Sequence, residues 1–236
     1  MSILPQSLRA ALRSFSAPLL PGSCLLCATD SPHGLLCPAC STDLPRLPGA
    51  RCPQCNLPTT HGERCGACLK DPPDFSRTIA LFRYEFPVDR IIHALKYGHQ
   101  LPLAAWLGAR LAELANAADH DLVLPLPLHP ERLHERGFNQ SGEIARSLAR
   151  ALDLPLDVDS LTRTRPTPPQ AALPLKERSR NVRGAFACAA DLSGKRVLLV
   201  DDVMTSGATL RECARVIKLH GASGIAVAVV ARALRH

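Results

Sequence analysis

The sequence predicts an α/β protein: a parallel sheet flanked by helices, preceded by a small cysteine-rich module that needs metal to fold. Three observations carry this. Eight of the ten cysteines fall between residues 24 and 68, in four CxxC pairs. Beyond residue 76, strand-length apolar runs alternate with stretches of helical periodicity, the pattern of strands joined by crossover helices. Finally, Lys195 to Ala214 (KRVLLVDDVMTSGATLRECA) passes from an apolar run through two adjacent carboxylates and a small-residue loop into a helix.

The cysteine pairs are Cys24/Cys27, Cys37/Cys40, Cys52/Cys55 and Cys65/Cys68, and adding 28 to each member of the first two pairs gives the last two. His33-Gly34 recurs at His61-Gly62 by the same step, so the module is an internal duplication. Zinc takes four thiolates in a tetrahedron, and each CxxC turn supplies two with little strain. Two structural sites follow, a double zinc ribbon. With cysteine in all four positions nothing is left open for catalysis, and the metal serves folding, worth roughly 10–16 kcal/mol per site in zinc-finger peptides. Disulfides would need an oxidising compartment that the N-terminus does not suggest, and an iron–sulfur cluster is no better supported. Grouping the ligands in sequence (24, 27, 37, 40 and 52, 55, 65, 68) agrees with the duplication; a cross-braced pairing would use the same eight residues. His33 and His61 read as hairpin-turn residues, and Cys188 and Cys213 as small core residues.

Four segments are expected: an N-terminal amphipathic helix over 1–20, the double zinc ribbon over 21–70, a Pro-rich linker over 71–76 and the α/β domain over 77–236. Leu4, Leu8, Leu12 and Phe15 share one face of the first helix, which suits packing on the body or a partner better than a membrane surface. The same stretch lacks the unbroken apolar core of a signal peptide. The longest apolar run, Ile225 to Ala231, has strand length rather than the length of a membrane span. A cytoplasmic location is therefore expected. The net charge of +7 suits an anionic partner. Much of it lies between Leu161 and Arg183, where Arg163, Arg165, Lys176, Arg178, Arg180 and Arg183 face Glu177 alone.

Within the α/β domain, Arg77 to Phe86 alternates as a strand, Val88 to Tyr97 has helical spacing, and Leu103 to Ala118 forms a second helix. Leu122 to Pro127 is a strand stopped by prolines, followed by a basic loop. Asn139 caps a helix running to Leu152. Ligands of parallel sheets bind beyond the carboxyl ends of the strands. The loop after Pro127, with Arg132, His134 and Arg136, therefore shares a rim with the loop after Val200. Thr162 to Arg183, Pro-rich and basic, reads as a lid, and Gly224 to Ala233 as the closing strand.

The chemistry centres on Val197 to Thr209. Val197 to Val200 suits a parallel strand covered on both faces. Thr205, Ser206, Gly207, Ala208 and Thr209 then present nearly bare backbone at a helix N-terminus, an anion site whose usual occupant is phosphate. Asp201 and Asp202 would repel a phosphate, but they suit the vicinal hydroxyls of a ribose. Phosphate on the loop and diol on the acids together describe a ribose 5-phosphate. A P-loop would need a Gly-Lys-Ser/Thr ending that is absent.

VLLVDDVMTSGATL resembles the 5-phosphoribosyl 1-pyrophosphate (PRPP) motif of type I phosphoribosyltransferases. By that resemblance Asp201 and Asp202 hold the ribose hydroxyls, and Thr205, Ser206, Gly207, Ala208 and Thr209 hold the 5-phosphate. The cysteine module, Leu95-Lys96-Tyr97 and Arg136-Gly137-Phe138-Asn139-Gln140 further resemble the ComF/GntX family. Gln170, Leu173, Arg178, Asn181 and Arg183-Gly184-Ala185-Phe186 match that family's flexible-loop pattern. The resemblance implies a type I phosphoribosyltransferase-like sheet behind the zinc ribbon, with PRPP and Mg²⁺ as ligands. Lys96, Arg132, Arg136 and Arg178 become phosphate or pyrophosphate contacts, and Asn139, Gln140, Gln170 and Asn181 further loop residues. It also implies a part in natural competence or the use of external DNA. Single-stranded DNA and other competence or recombination proteins are the implied partners. No acceptor follows from the motifs, and His129 and His134 are weak candidates for a general base. Two readings stay open: a phosphoribosyltransferase, or a non-catalytic scaffold or sensor. With aromatic residues at 4%, nucleic-acid binding by the scaffold would be driven mainly by phosphate contacts.

Overall fold

The computed structural model of the chain describes residues 22–32, 34–167 and 175–234. The expected N-terminal helix, His33, Gln170 and Leu173 lie outside these residues. The chain divides into two compact units, Met1–Leu44 and Pro45–His236.

The first unit holds one copy of the cysteine repeat. Its helix α1 (Pro38–Thr42) starts at the N-cap Cys37, with proline in the first turn. The second copy opens the second unit, with helix α2 (Gly66–Lys70) capped at Cys65. The duplication persists bond by bond. The Cys24 N–H donates to the Thr29 carbonyl at 2.8 Å, and the Cys52 N–H donates to Leu57 at 2.8 Å. Ala28 and Asn56, equivalent positions, both adopt a left-handed φ of 58°. Asparagine tolerates that conformation better than alanine, so the second copy is the less strained at this turn.

The rest of the second unit runs β1 (Arg77–Arg83), α3 (Val88–Tyr97), α4 (Leu101–Ala112), β2 (Leu122–Pro125), α5 (Pro130–Arg136), α6 (Gln140–Leu152), β3 (Leu161–Arg163), α7 (Leu175–Val182), β4 (Phe186–Cys188), β5 (Arg196–Met204), α8 (Ala208–Leu219) and β6 (Gly224–Arg232). β1, β6, β5 and β2 form a four-stranded sheet in that order, every neighbouring pair parallel. β3 and β4 pair as a separate antiparallel ribbon. The final strand, β6, lies between β1 and β5 rather than at an edge. Its continuous run of Val and Ala is buried from Ile225 to Arg232, as an inner parallel strand requires.

α4 and α6 pack closely through Gly108, where a Cβ would lie 2.5 Å from the Ile144 carbonyl oxygen and 2.6 Å from Ser147 Cβ. Two helical segments differ from the sequence expectation, and the helix expected over Leu103 to Ala118 is the first: it runs Leu101–Ala112 and a 3-10 turn follows at Ala117–Asp119. The stretch after Pro127 is a helix rather than a loop: His129 Nδ1 accepts the Glu131 N–H at 3.4 Å, Pro130 fixes the first turn and Gly137 ends it at φ 79°. The basic segment read as a lid holds α7, and the bond from the Thr164 N–H to the Ala185 carbonyl at 3.0 Å and the β3–β4 ladder join its two ends to one another.

Packing joins the second cysteine repeat to the sheet. Cys52, Cys55 and Cys68 belong to the same buried cluster as Phe75, Leu199, Met204, Cys213 and Val229. Asn56 Nδ2 donates to the Thr78 carbonyl at 2.7 Å, and Gln54 Nε2 donates to Phe75 at 3.3 Å.

Candidate functional site

Each cysteine repeat gathers its own four thiols. In Cys24, Cys27, Cys37 and Cys40, and again in Cys52, Cys55, Cys65 and Cys68, all ligand atoms lie within 4.8 Å of one another. The Sγ atoms of Cys27 and Cys37 are 3.7 Å apart, and those of Cys55 and Cys65 3.6 Å. A zinc tetrahedron with Zn–S bonds of about 2.3 Å sets its sulfurs roughly 3.8 Å apart, so both clusters fit the ion. The ligands group in sequence, as the duplication implies. One thiol of each cluster, at equivalent positions, is the more acidic, whereas neighbouring thiols raise Cys40 and burial raises Cys68. Burial opposes the charge, yet N–H groups of Cys37, Cys27 and Leu26 bring Cys24 down to about 6. Against the same opposition, N–H groups of Cys65, Cys55 and Gln54 bring Cys52 to about 7.

A second cluster of polar groups sits at the carboxyl end of β5. Asp201 and Asp202 are both buried, at 7% and 4% exposure. Asp201 Oδ1 accepts the Ser141 hydroxyl at 2.9 Å and the Asp202 N–H at 2.9 Å. Asp202 Oδ1 accepts the Val203 N–H at 2.9 Å, and its Oδ2 pairs with Lys96 Nζ from the last turn of α3. Burial, helped by the charge of Asp202, pushes Asp201 up to about 8, against the pull of the Asp202 N–H, Lys96 and Ser141. Burial opposes the Lys96 charge, but Asp202 and Asp201 hold its pKa above the ordinary value.

Beyond Met204 the chain turns through Thr205, Ser206 and Gly207 into α8. Gly207 is the N-cap, left-handed at φ 79°, and a Cβ there would lie 2.7 Å from Met204 Cε. Glycine therefore sets the entry to α8. The first turn of α8 carries no acidic residue; the Ala208 N–H donates to the Ser206 hydroxyl at 3.3 Å, and the next N–H groups and the positive dipole end suit an anion.

The acids and this loop share one cleft of about 300 Å³, also lined by Tyr84, Lys96, Tyr97, Arg132, Arg136, Gln140 and Arg163. Arg136 lies 5.2 Å over the Tyr97 ring and donates to Gln140 Oε1 at 2.5 Å. Burial and the nearby charge of Arg132 lower the pKa of Arg163, whose guanidinium lies 5.5 Å over the Phe186 ring. From α7, Arg178 Nη1 donates to the Thr205 hydroxyl at 3.4 Å.

Thus the structure brings together Asp201, Asp202, Thr205, Ser206, Gly207, Ala208, Thr209, Lys96, Arg132, Arg136 and Gln140, with Arg178 touching the loop. Asn139 instead secures the rim. Its Nδ2 donates to the Leu126 carbonyl at 3.0 Å, and its Oδ1 accepts the Ser141 N–H at 3.1 Å as the cap of α6. The Asn181 carbonyl accepts Arg165 Nη2 at 3.1 Å. His129 is occupied as the cap of α5. Sequence reasoning missed Ser141 and Tyr84, and placed Arg163 in the basic segment without assigning it to the cleft. Ser141 is one residue into α6, so its helix position was legible, but its partner Asp201 lies 60 residues away. No helix among the described residues is long and apolar enough to cross a membrane.

Comparison with known proteins matches residues 139–235 to the Phosphoribosyl transferase domain family and residues 15–69 to the Double zinc ribbon domain family. The DNA utilization protein YhgH of Escherichia coli K12 is 34% identical over 225 residues, 91% of this chain and 99% of its own length. Competence protein F of Haemophilus influenzae is 31% identical over 179 residues, 70% of this chain and 76% of its own. Among solved structures, the purine phosphoribosyltransferase of Pyrococcus horikoshii Ot3 aligns over 66% of this chain and 77% of its own, at 23% identity and a TM-score of 0.34.

Proposed function

The chain belongs to the family of Competence protein F and the DNA utilization proteins, and on that premise we propose that it binds PRPP and serves the use of external DNA on the cytoplasmic side. The observation that carries the reading is a single cleft with opposite polarity at its two ends. Two buried adjacent carboxylates lie on one side, and a helix N-terminus behind a left-handed glycine lies on the other. The carboxylates accept hydrogen bonds from the ribose 2- and 3-hydroxyls. The Thr205 to Thr209 backbone and hydroxyls take the 5-phosphate.

Lys96, Arg132, Arg136 and Arg178 offset the charge of the pyrophosphate as its bond to C1 breaks. Mg²⁺, when bound with PRPP, supplies further neutralisation of the leaving group. Lys96 is held ready in this account: it releases Asp202 to the sugar and turns to the phosphates. A nucleophile that reaches C1 from the open side of the cleft would receive the phosphoribosyl group.

A second reading draws on the same cleft. Tyr84 and Tyr97 line it at 40% and 61% exposure, so an unpaired base can stack on Tyr84, or on Tyr97 by displacing Arg136 from its ring. That favours single-stranded DNA as a ligand in its own right. Titration with ribose 5-phosphate and with an oligothymidylate at two salt concentrations separates the two readings. Ribose 5-phosphate binding that is lost in Gly207→Val supports the sugar-phosphate site. Oligonucleotide binding that weakens steeply with salt and is lost in Tyr97→Ala, with no response to ribose 5-phosphate, supports the scaffold and contradicts the first reading.

A further inference from the structure

Arg232, the last residue of β6, is 1% exposed, and its guanidinium reaches backbone carbonyls from three places. Nε donates to the Cys55 carbonyl at 2.7 Å. Nη1 donates to Met204 at 2.9 Å, to Thr205, and to Ala233 at 2.7 Å. Cys55 is one of the four thiols of the second cluster. Met204 and Thr205 open the loop that leads through Gly207 into α8. We propose that Arg232 is a positioning residue that couples the second zinc site to the phosphate-binding loop. Its consequence for ligand affinity rests on the PRPP reading; the coupling itself does not.

The geometry supports coupling rather than general packing. In the sheet, Met204 is the register partner of Arg232, so the guanidinium sits where the loop leaves the rim. On its other side the Cys52–Cys55 turn is doubly fixed. The Cys55 sulfur belongs to the metal cluster, and the backbone beside it is tied to β1: the Thr78 hydroxyl donates to the Gln54 carbonyl at 2.5 Å, and the Thr78 N–H to Pro53 at 3.3 Å. A metal-anchored turn gives Arg232 a rigid support, and the planar fork transmits that position to two successive loop carbonyls. Lysine at this place would keep the charge but not the fork. Zinc is then a spacer for the phosphate loop as well as a folding ligand, in the way outer partners of a metal site orient neighbouring groups.

The test uses the full-length, zinc-loaded chain with Arg232→Lys and Arg232→Met. Both variants are expected to retain two zinc ions per chain. Amide exchange at 204–208 should accelerate, while exchange in β1 and at the centre of β5 stays near wild type. Mg²⁺–PRPP affinity should fall about ten- to a hundredfold, the loss that removing charge-assisted hydrogen bonds gives. Coupling is reciprocal at equilibrium, so bound PRPP should raise the zinc affinity of the wild type by the same factor as zinc raises its PRPP affinity, and lose that effect in the variants. An arginine that only stabilises the fold would move none of these site-specific readouts. Wild-type exchange at 204–208 in a folded Arg232→Lys protein overturns the inference. If Arg232→Met does not fold, Arg232→Lys decides. If the wild type ignores PRPP, the proposed function falls while the exchange data still decide the coupling.

Discussion

Cys52→Ser is expected to abolish cooperative folding of residues 45–236, whereas Cys24→Ser leaves them folded. The two cysteines are equivalent in the duplication, but their surroundings differ. Cys52 is 0% exposed and shares the buried cluster of Phe75, Leu199 and Val229. Cys24 lies in the first compact unit, beside the exposed Cys27. A structural zinc contributes roughly 10–16 kcal/mol in zinc-finger peptides, as much as the whole stability of a typical domain, about 5–15 kcal/mol. Losing the second ion removes that term and also leaves unpaired thiols and a serine hydroxyl in the core. Zinc analysis, circular-dichroism melting and limited proteolysis check the contrast. Cys24→Ser should hold one zinc and give a resistant fragment starting near residue 45. A Cys52→Ser protein that melts cooperatively within a few degrees of wild type would refute this account of the second site.

Asp201→Asn is expected to stabilise the ligand-free protein above neutral pH while removing its ribose contact. Burial and Asp202 raise Asp201 from an ordinary 3.8 to about 8 in the folded chain. A raised carboxyl binds its proton more tightly when folded. Its stabilising contribution is therefore complete below about pH 4 and is lost as the pH climbs through about 8. Lys96, Arg163 and Cys213 are the other titratable groups that sense Asp201. Asparagine keeps an oxygen for Ser141 and the Asp202 N–H and never ionises. Near pH 8.5 the variant should melt about 4–8 °C above wild type, the shift that roughly 2 kcal/mol gives in a chain of this size. Near pH 5 the difference should narrow. Parallel melting curves for the two proteins between pH 5 and pH 9 would contradict the assignment. Such a trade is what a functional site predicts: a buried acid retained for binding at the expense of stability.

How far the sequence led depended on the distance between interacting residues. The metal clusters were legible because ligand spacing and the 28-residue step are local patterns. The β5–loop–α8 segment was legible for the same reason, since strand, acids, glycine and helix follow one another within Val197 to Thr209. α5 carried its own start and stop signals, Pro130 and Gly137, which the basic composition of the stretch masked. The placement of β6 between β1 and β5 was not legible, because periodicity gives a strand but not its neighbours. Contacts of large separation stayed hidden as well. Ser141 meets Asp201 only through the packing of α6 on the sheet, and Arg232 meets Cys55 across 177 positions. The rim function of Asn139 was half legible: the cap was visible in sequence, the bond to Leu126 was not.

The central claim is the sugar-phosphate site, and calorimetry of the zinc-loaded chain with PRPP and Mg²⁺ addresses it most directly. The same titration is run on a variant carrying both Asp201→Asn and Asp202→Asn, shown to be folded and to hold two zinc ions. Saturable one-to-one binding by the wild type is expected, with a loss of at least about a hundredfold in the variant, as follows from weakening both acid–hydroxyl contacts, one of them charge-assisted. A folded wild type that binds no PRPP, or a variant that binds it equally well, would contradict it.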